Sequence, residues 1–520
     1  MNGAEFLCES LLHNDIDVCF ANPGTSEMHF VAALDKQPRM RCVLGLFEGV
    51  VTGAADGYTR MADKPAATLL HLGSGLGNGL ANLHNAKRAR SPMVNIVGDH
   101  AQHHLQYDAP LTSDIKAIAS AVSDSVITAS LGPSFAGDIT RCIEVAVAPP
   151  GNISTLILPA DVAWTEMDAS SVVKRAARPG HTKVDSNAVA EAAKALRSGK
   201  ATLLLGGRAL RAQPLALAST IARHTGAKLL AETSNARIER GHGVAAIEKL
   251  PYPVDAALAK LQDTEHLILV GARSPVAFFA YPGRPSRLIP DECRVSVLTL
   301  PEQDHNAALE QLMGELNLDN ITVAPEPQVR PEVPAASSDA LTAGLLCRTI
   351  AALLPENAIV TDESITQGRS FYGHSHASAR HDYLQLTGGA IGIGLPLATG
   401  AAVACPQRKV VALQADGSGM YTVQALWTQA RENLDCLTIV FANRRYAILE
   451  HEMKNVGVAQ MGDNARSMLQ IDRPDISWVN LSEGLGVPAV RASNLREFIE
   501  AFERGLKHRG PFVIEAELPG

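Results

Sequence analysis

The chain has 520 residues, a formal net charge of −8, and 46% hydrophobic against 19% charged residues. That length exceeds what one core supports, and an acidic balance without a long Lys/Arg block excludes a basic nucleic-acid-binding surface. The eight cysteines are scattered without a C-x-x-C pair, which excludes a zinc site or a disulfide framework and predicts reduced thiols. Glu5 and Glu9 stand where a signal peptide is basic and then apolar, and no apolar run approaches the roughly 18 residues of a membrane span, so a soluble cytoplasmic protein is expected.

Along the chain, short apolar strands alternate with amphipathic helices in three blocks, the pattern of α/β domains built on mostly parallel sheets. The first block is expected over 1–165, with strands at Val18–Ala21, Ala66–Leu70, Met93–Val97 and Ser154–Leu158. A central Rossmann-like block follows over 186–322, with strands at Ala201–Leu205, Ala227–Leu230 and Leu267–Val270. A Pro-rich linker at 323–338 then leads to a third block over 339–520, opening with a helix near Asp339.

In the first block, the turn Asn22-Pro23-Gly24-Thr25-Ser26-Glu27 closes the first strand. Glu48 then begins a helix of small residues, Gly49, Gly53 and Ala54, that runs into Ala55-Asp56-Gly57-Tyr58-Thr59-Arg60. By composition alone, a Glu in a first helical turn is a favourable partner of the helix dipole. Next, His71-Leu72-Gly73-Ser74-Gly75-Leu76-Gly77-Asn78 follows a strand and precedes a helix. Asn78 stands where a dinucleotide fingerprint needs its third Gly, which counts against a nucleotide site. His71 is either a proton carrier or a strand-end histidine bonded to backbone. His100, His103 and His104 crowd the loop after the next strand and read as a polar surface loop.

The third block carries the strongest signal. Lys409–Leu413 reads as a buried parallel strand leading into Gln414-Ala415-Asp416-Gly417-Ser418-Gly419, and the apolar run Cys436–Ala442 ends at Asn443. Two strand ends thus each supply an oxygen ligand where open α/β sheets bind their ligands, a donor set suited to Mg²⁺. Gly417 and Gly419 permit close backbone approach to a diphosphate, with a helix expected from about Thr422 pointing its positive end at it.

Asp416-Gly417 followed at distance by Asn443 resembles the thiamine diphosphate (ThDP) motif of 2-oxo acid decarboxylases and acetolactate synthases, with Ala415 in place of the usual first Gly. The resemblance covers the whole chain in the expected order. It implies ThDP and Mg²⁺, with Asp416, Asn443 and the Arg445 carbonyl as metal ligands. Gly417, Ser418, Thr366, Asn22 and Pro23 are then cofactor contacts, and Ile391, in the glycine loop 387–396, bends the cofactor. Glu48 becomes the acid that bonds the aminopyrimidine and promotes loss of the thiazolium C2 proton. The His71 loop is similar to that of benzoylformate decarboxylases, which makes His71 a candidate for proton delivery and Thr25 a carboxylate contact. Phe279 stands where those enzymes carry a second pocket histidine, while Ile448 and Leu449 match positions that shape the acceptor pocket.

Family membership further implies a homodimer as the smallest active unit, commonly a homotetramer, acting on a small-molecule 2-oxo acid. The function expected is acetolactate synthase-like: decarboxylation, then ligation to a second carbonyl. Simple decarboxylation to an aldehyde is the alternative, and a non-catalytic binding homologue a third. FAD is not expected, because Gly206-Gly207-Arg208 and Gly271-Ala272-Arg273 form no dinucleotide fingerprint.

Overall fold

The computed structural model describes residues 1–323 and 328–519. The chain builds three sheets with helices against them. The first contains β1 (Val18–Asn22), β2 (Arg41–Leu44), β3 (Ala66–Leu70), β4 (Met93–Asp99), β5 (Ser125–Thr128) and β6 (Ile153–Pro159) in the order β2-β1-β3-β4-β6-β5. All its pairings are parallel. The central segment supplies β7 (Ala201–Leu205), β8 (Lys228–Ala231), β9 (Ile238–Arg240), β10 (Glu248–Lys249), β11 (His266–Val270) and β12 (Arg294–Thr299). Five of these form the parallel sheet β10-β8-β7-β11-β12.

The third sheet contains β13 (Ala358–Glu363), β14 (His381–Gln385), β15 (Val410–Ala415), β16 (Cys436–Ala442), β17 (Ala489–Ala492) and β18 (Phe512–Glu517). Its order is β17-β18-β16-β15-β13-β14-β9: strand β9 leaves the central segment and adds an antiparallel edge. Strands such as β3, β7 and β16 are buried along their whole length because helices cover both faces, so they read as unbroken apolar runs.

Strands β2, β5 and β12, whose exposed positions interrupt the apolar run, escaped the sequence reading, as did β13, β14 and β18, which are largely buried but carry charged or polar residues. The first helix of the third block starts at Ala343, where the Thr342 side chain caps it, and not near Asp339. Of the expected linker, Ala324-Pro325-Glu326-Pro327 lies outside the described residues. Among the described residues, no helix is long and apolar enough to cross a membrane, and all eight cysteines are unpaired.

The first and third blocks meet where helix Glu48–Ala62 crosses helix Gly394–Ala404. Small residues allow the approach: a Cβ on Gly400 would overlap the Ala54 carbonyl oxygen, and one on Gly57 the Leu397 carbonyl. At the far end of the first helix, Arg60 pairs with Asp56 (2.5 Å), with both side chains almost wholly buried. The same guanidinium donates to the carbonyls of Gln385 (2.7 Å) and Ala236 (3.2 Å) and to Thr387 Oγ1 (3.1 Å). One side chain thereby fastens the first block to both others, the kind of fully bonded buried charge whose loss is expensive.

Candidate active site

Strands β15 and β16 are parallel neighbours with Ala415 opposite Phe441. Asp416 and Asn443 therefore emerge at the same sheet edge, both buried. Asp416 Oδ1 accepts the Gly417 N–H (2.8 Å) and Oδ2 the Arg444 N–H (2.6 Å), the latter with Arg444 in the left-handed region at φ 58°. Burial pushes the Asp416 carboxyl above its ordinary range, against the pull of these backbone donors. A short helix, Asp416–Gly419, begins at Asp416 itself and the next at Ala425, so the helix expected from Thr422 is replaced by a turn.

A pocket at this edge is lined by Thr366, Ile391, Asp416, Gly417, Ser418, Asn443, Arg445 and Ile448, all residues singled out from the sequence. The Arg445 guanidinium lies 3.5 Å from the Glu450 carboxylate, both half-buried. Among the described residues, no group of three or more His, Cys, Asp or Glu could hold a metal. A cation here would need oxygens beyond Asp416, as Mg²⁺ does when it keeps phosphate oxygens in its shell.

The glycine loop carrying Ile391 is held by a residue that the sequence reading missed. Glu363, fully buried at the end of β13, accepts the backbone N–H groups of Gly392 (2.7 Å), Ile393 (3.1 Å) and Gly394 (2.8 Å), and the Gln414 amide (3.0 Å). From the other side, Asn85 and His84 bond the carbonyls of Ala390 (2.7 Å) and Gly388 (3.0 Å). Anchored on both flanks, the loop presents Ile391 to the pocket and to a larger cavity of about 1490 Å³ beside it. Phe279 and Leu449 line that cavity, both well exposed to it.

In the first block, the glycines expected to form a loop after His71 lie inside helix Leu72–Ala89, which starts directly after the histidine. Leu72 at φ 49° makes the sharp entry. Glu48 opens its own helix, is 6% exposed, and accepts the Asn78 side-chain amide at 3.0 Å. His71 Nδ1 lies 2.8 Å from Glu27 Oε2, and Glu27 also accepts the Gly24 N–H (2.8 Å) and the Ser26 hydroxyl (2.7 Å). A Cβ on Gly24 would overlap the His71 ring, and one on Gly98 the Glu27 carboxylate, so both close approaches require glycine. Asn22 and Pro23 are half-buried beside this group, and Thr25 is exposed. The His100–His104 loop stacks on itself and on Tyr107 and Trp164. None of Asn22, Pro23, Thr25, Glu48 or His71 lines the pocket at the β15–β16 edge or the large cavity.

Comparison with known proteins places this geometry. Residues 1–120 match the thiamine pyrophosphate enzyme N-terminal TPP binding domain, and residues 369–516 match its C-terminal TPP binding domain. The chain is 49% identical, over 100% of its length and 99% of the relative's, to a protein of Mycobacterium tuberculosis (strain ATCC 25618 / H37Rv) provisionally named acetolactate synthase large subunit IlvX. It is 27% identical to benzoylformate decarboxylase of Pseudomonas aeruginosa, over 98% of this chain and 97% of that one. The fold matches the 4-hydroxybenzoylformate decarboxylase of Rhodococcus jostii RHA1 with a TM-score of 0.85, 23% identity, and coverage of 100% and 99%. The chain therefore belongs to the thiamine pyrophosphate enzyme family, among the 2-oxo acid enzymes of acetolactate synthase and decarboxylase type.

Proposed function

We propose that this protein uses ThDP and Mg²⁺ to decarboxylate a 2-oxo acid and that His71 protonates the former carbonyl carbon, releasing an aldehyde. The observation that carries this reading is the His71–Glu27 pair. A carboxylate on Nδ1 fixes the ring and leaves Nε2 free to hold or give a proton.

The residues fit the cofactor. A Cβ on Gly417 would strike the Tyr446 ring, so the backbone there is open only to a glycine. Asp416, Asn443 and the Arg445 carbonyl form a hard-oxygen set for Mg²⁺; Thr366, Gly417 and Ser418 would face the diphosphate. When bound, ThDP supplies the electron sink that 2-oxo acid decarboxylation needs. Glu48, buried at its helix start and oriented by Asn78, would exchange a proton with the aminopyrimidine ring. Ile391 would hold the bent cofactor shape from its anchored loop. The glycine loop, Glu363 and the neighbouring apolar side chains would keep water away.

Because Glu48 and His71 line neither third-block cavity, the reading takes a homodimer as the smallest active unit, with one subunit's first block facing the other's third. Flavin has no place in it. The crevice at the ends of β7, β8 and β11 holds Glu232, which accepts the Arg273 N–H and sits against Gly206, while His305 packs against Gly271.

Carboligation remains a second reading, favoured by the relative named as an acetolactate synthase subunit and by a cavity with room for an acceptor. Product NMR with ThDP, Mg²⁺ and either benzoylformate or pyruvate separates the two. Benzaldehyde supports the proposal. Acetolactate from pyruvate overturns it in favour of ligation, and no turnover of any 2-oxo acid returns the chain to a binding role.

A further inference from the structure

The cavity beside the metal pocket, about 1490 Å³, shares Ile365, Ile391, Tyr446 and Ile448 with it. Ligand sites commonly span roughly 300–1,000 Å³, and part of this space would hold the cofactor whose shape Ile391 sets. Its lining combines two chemistries. Ile391, Ile448, Leu449 and Phe279 are apolar. Lys249, Arg369 and Arg240 are accompanied by the rings of Tyr252, Tyr372 and Tyr383.

The carboxylates of the cavity are already engaged. Glu248 pairs with Lys260, Glu452 accepts the hydroxyls of Tyr281 (2.7 Å) and Tyr252 (3.4 Å), and Asp362 accepts those of Tyr383 and Ser364 (both 2.5 Å). Lys249 and Arg369 lie beside ring faces, with Asp362 near enough to Lys249 to act on it electrostatically. Lys249 Nζ lies 4.2 Å from the Tyr372 centroid and 5.3 Å from that of Tyr383, and the Arg369 guanidinium 5.9 Å from that of Tyr252. Neither makes an ion pair or a hydrogen bond among the described residues. Arg240 stacks on Tyr372 at 3.5 Å, and its buried Nε has no partner. Burial pushes the Lys249 amine down to about 7; Asp362 pulls it up, and Arg240 and Arg369 press it further down. Asp362 acts on Lys249 only at a distance, and among the described residues no carboxylate forms an ion pair with Lys249, Arg240 or the exposed Arg369, which leaves this group of cations open to an anion.

Resting on the reading that this cavity serves 2-oxo acid decarboxylation, we propose that the substrate is a 2-oxo acid with an apolar or aromatic body and a second carboxylate at its far end, held by Lys249 and Arg369. The aromatic walls suit the body of such a molecule, and the guanidinium suits bidentate recognition of its carboxylate. Reaction at one end and recognition at the other use remote binding energy to position the reacting group.

The test compares 2-oxoglutarate, 2-oxoadipate and 2-oxosuberate with the monoacid of equal chain length, on the holoenzyme with ThDP and Mg²⁺. The wild type should prefer a long diacid. Lys249→Met and Arg369→Met should each raise KM for that diacid roughly 10- to 100-fold, with kcat and the monoacid's constants within about 2-fold, as removal of uniform binding requires. Lys249→Arg should restore much of the loss. Arg369 is exposed, so its variant keeps the test valid should Lys249→Met fold poorly. Equal losses for diacid and monoacid, or no diacid preference in the wild type, would overturn the proposal.

Calorimetric titration with unreactive suberate and octanoate separates this idea from the catalytic reading. If no 2-oxo acid turns over, but suberate binds in preference to octanoate and both variants abolish it, the anionic site stands and the catalytic reading falls. Equal binding of the two acids sinks the site. A diacid that binds and alters monoacid turnover without being decarboxylated overturns the substrate assignment and makes this an effector site.

Discussion

His71 Nδ1 sits 2.8 Å from Glu27 Oε2 although 44 residues separate the two in sequence. Glu27 is itself immobilised, with the Gly24 N–H, the Ser26 hydroxyl and the His71 ring sharing its two oxygens. A ring held this way has one nitrogen left for chemistry. On the proposed reading, in which the pair serves proton transfer and not ground-state binding, Glu27→Gln should lower kcat for aldehyde release roughly 10- to 100-fold while KM changes little. His71→Ala should cost at least as much. Steady-state kinetics with an unchanged melting temperature would confirm a positioning role, and equal effects on kcat and KM would refute it.

Glu48→Gln keeps the size of the side chain and its contact with Asn78 but cannot exchange a proton. ThDP should still bind, with calorimetric affinity within about 10-fold, while turnover falls roughly 100-fold or more, in the range expected for loss of acid–base catalysis. Deuterium exchange at the cofactor's C2 reads the same step directly. Near-wild-type exchange would remove Glu48 from the mechanism.

On the proposed reading, chelation should abolish ThDP retention, because the Asp416 carboxylate and the Asn443 amide oxygen attract the diphosphate only through a bridging cation. Asp416→Ala should do the same in the presence of excess Mg²⁺. Gel filtration followed by thiochrome fluorescence measures the retained cofactor. Full retention in EDTA would dissociate the metal from cofactor binding.

Gly400→Ala places a methyl group against the Ala54 carbonyl, where two helices cross with no space between them. Overpacking of this kind costs roughly 1–3 kcal/mol. Denaturant unfolding should show that loss, with weaker ThDP binding as the first and third blocks shift. An unaffected midpoint would mean that the two helices part at this crossing at little cost.

Burial pushes both His381 and His305 down to about 4. His381 faces Arg240 and Arg408, which lower it further, and Asp382 and the Ala379 carbonyl, which oppose them. His305 faces His181, Arg90 and Arg208, with Asp304 opposing. Since each pKa is lower folded than unfolded, the unfolded chain takes up protons first, and stability falls as pH drops from about 6.5 towards 4. Buried carboxyls such as Glu363 and Glu232, pushed up, act in the opposite direction, so a difference measurement is needed. His381→Asn should flatten the acid slope by up to about 3 kcal/mol across that window relative to wild type. Parallel stability–pH curves would show that His381 carries no such linkage.

That Asp416 and Asn443 stand at one sheet edge was legible in the sequence because each follows a local apolar run, so strand ends can be read from neighbouring residues alone. Asp416, Asn443, Gly417 and Ser418 needed only the parallel pairing of β15 with β16 to meet. The three-block α/β plan was visible for the same reason: strands buried on both faces read as continuous hydrophobic segments. Strands with exposed positions, β2, β5 and β12, carried no such mark.

What the sequence alone determined is therefore the class of chemistry and the short-range motifs that hold it. Tertiary structure decided the partners. Glu27 finds His71 across 44 residues, Glu363 gathers the N–H groups of a loop about 30 residues on, and Arg60 reaches Ala236 and Gln385 across 176 and 325. Lys249 and Arg369 come from different blocks yet line one cavity. Such pairings leave no periodic trace in the chain, because a buried polar group is satisfied by whichever donor the packed fold brings to it.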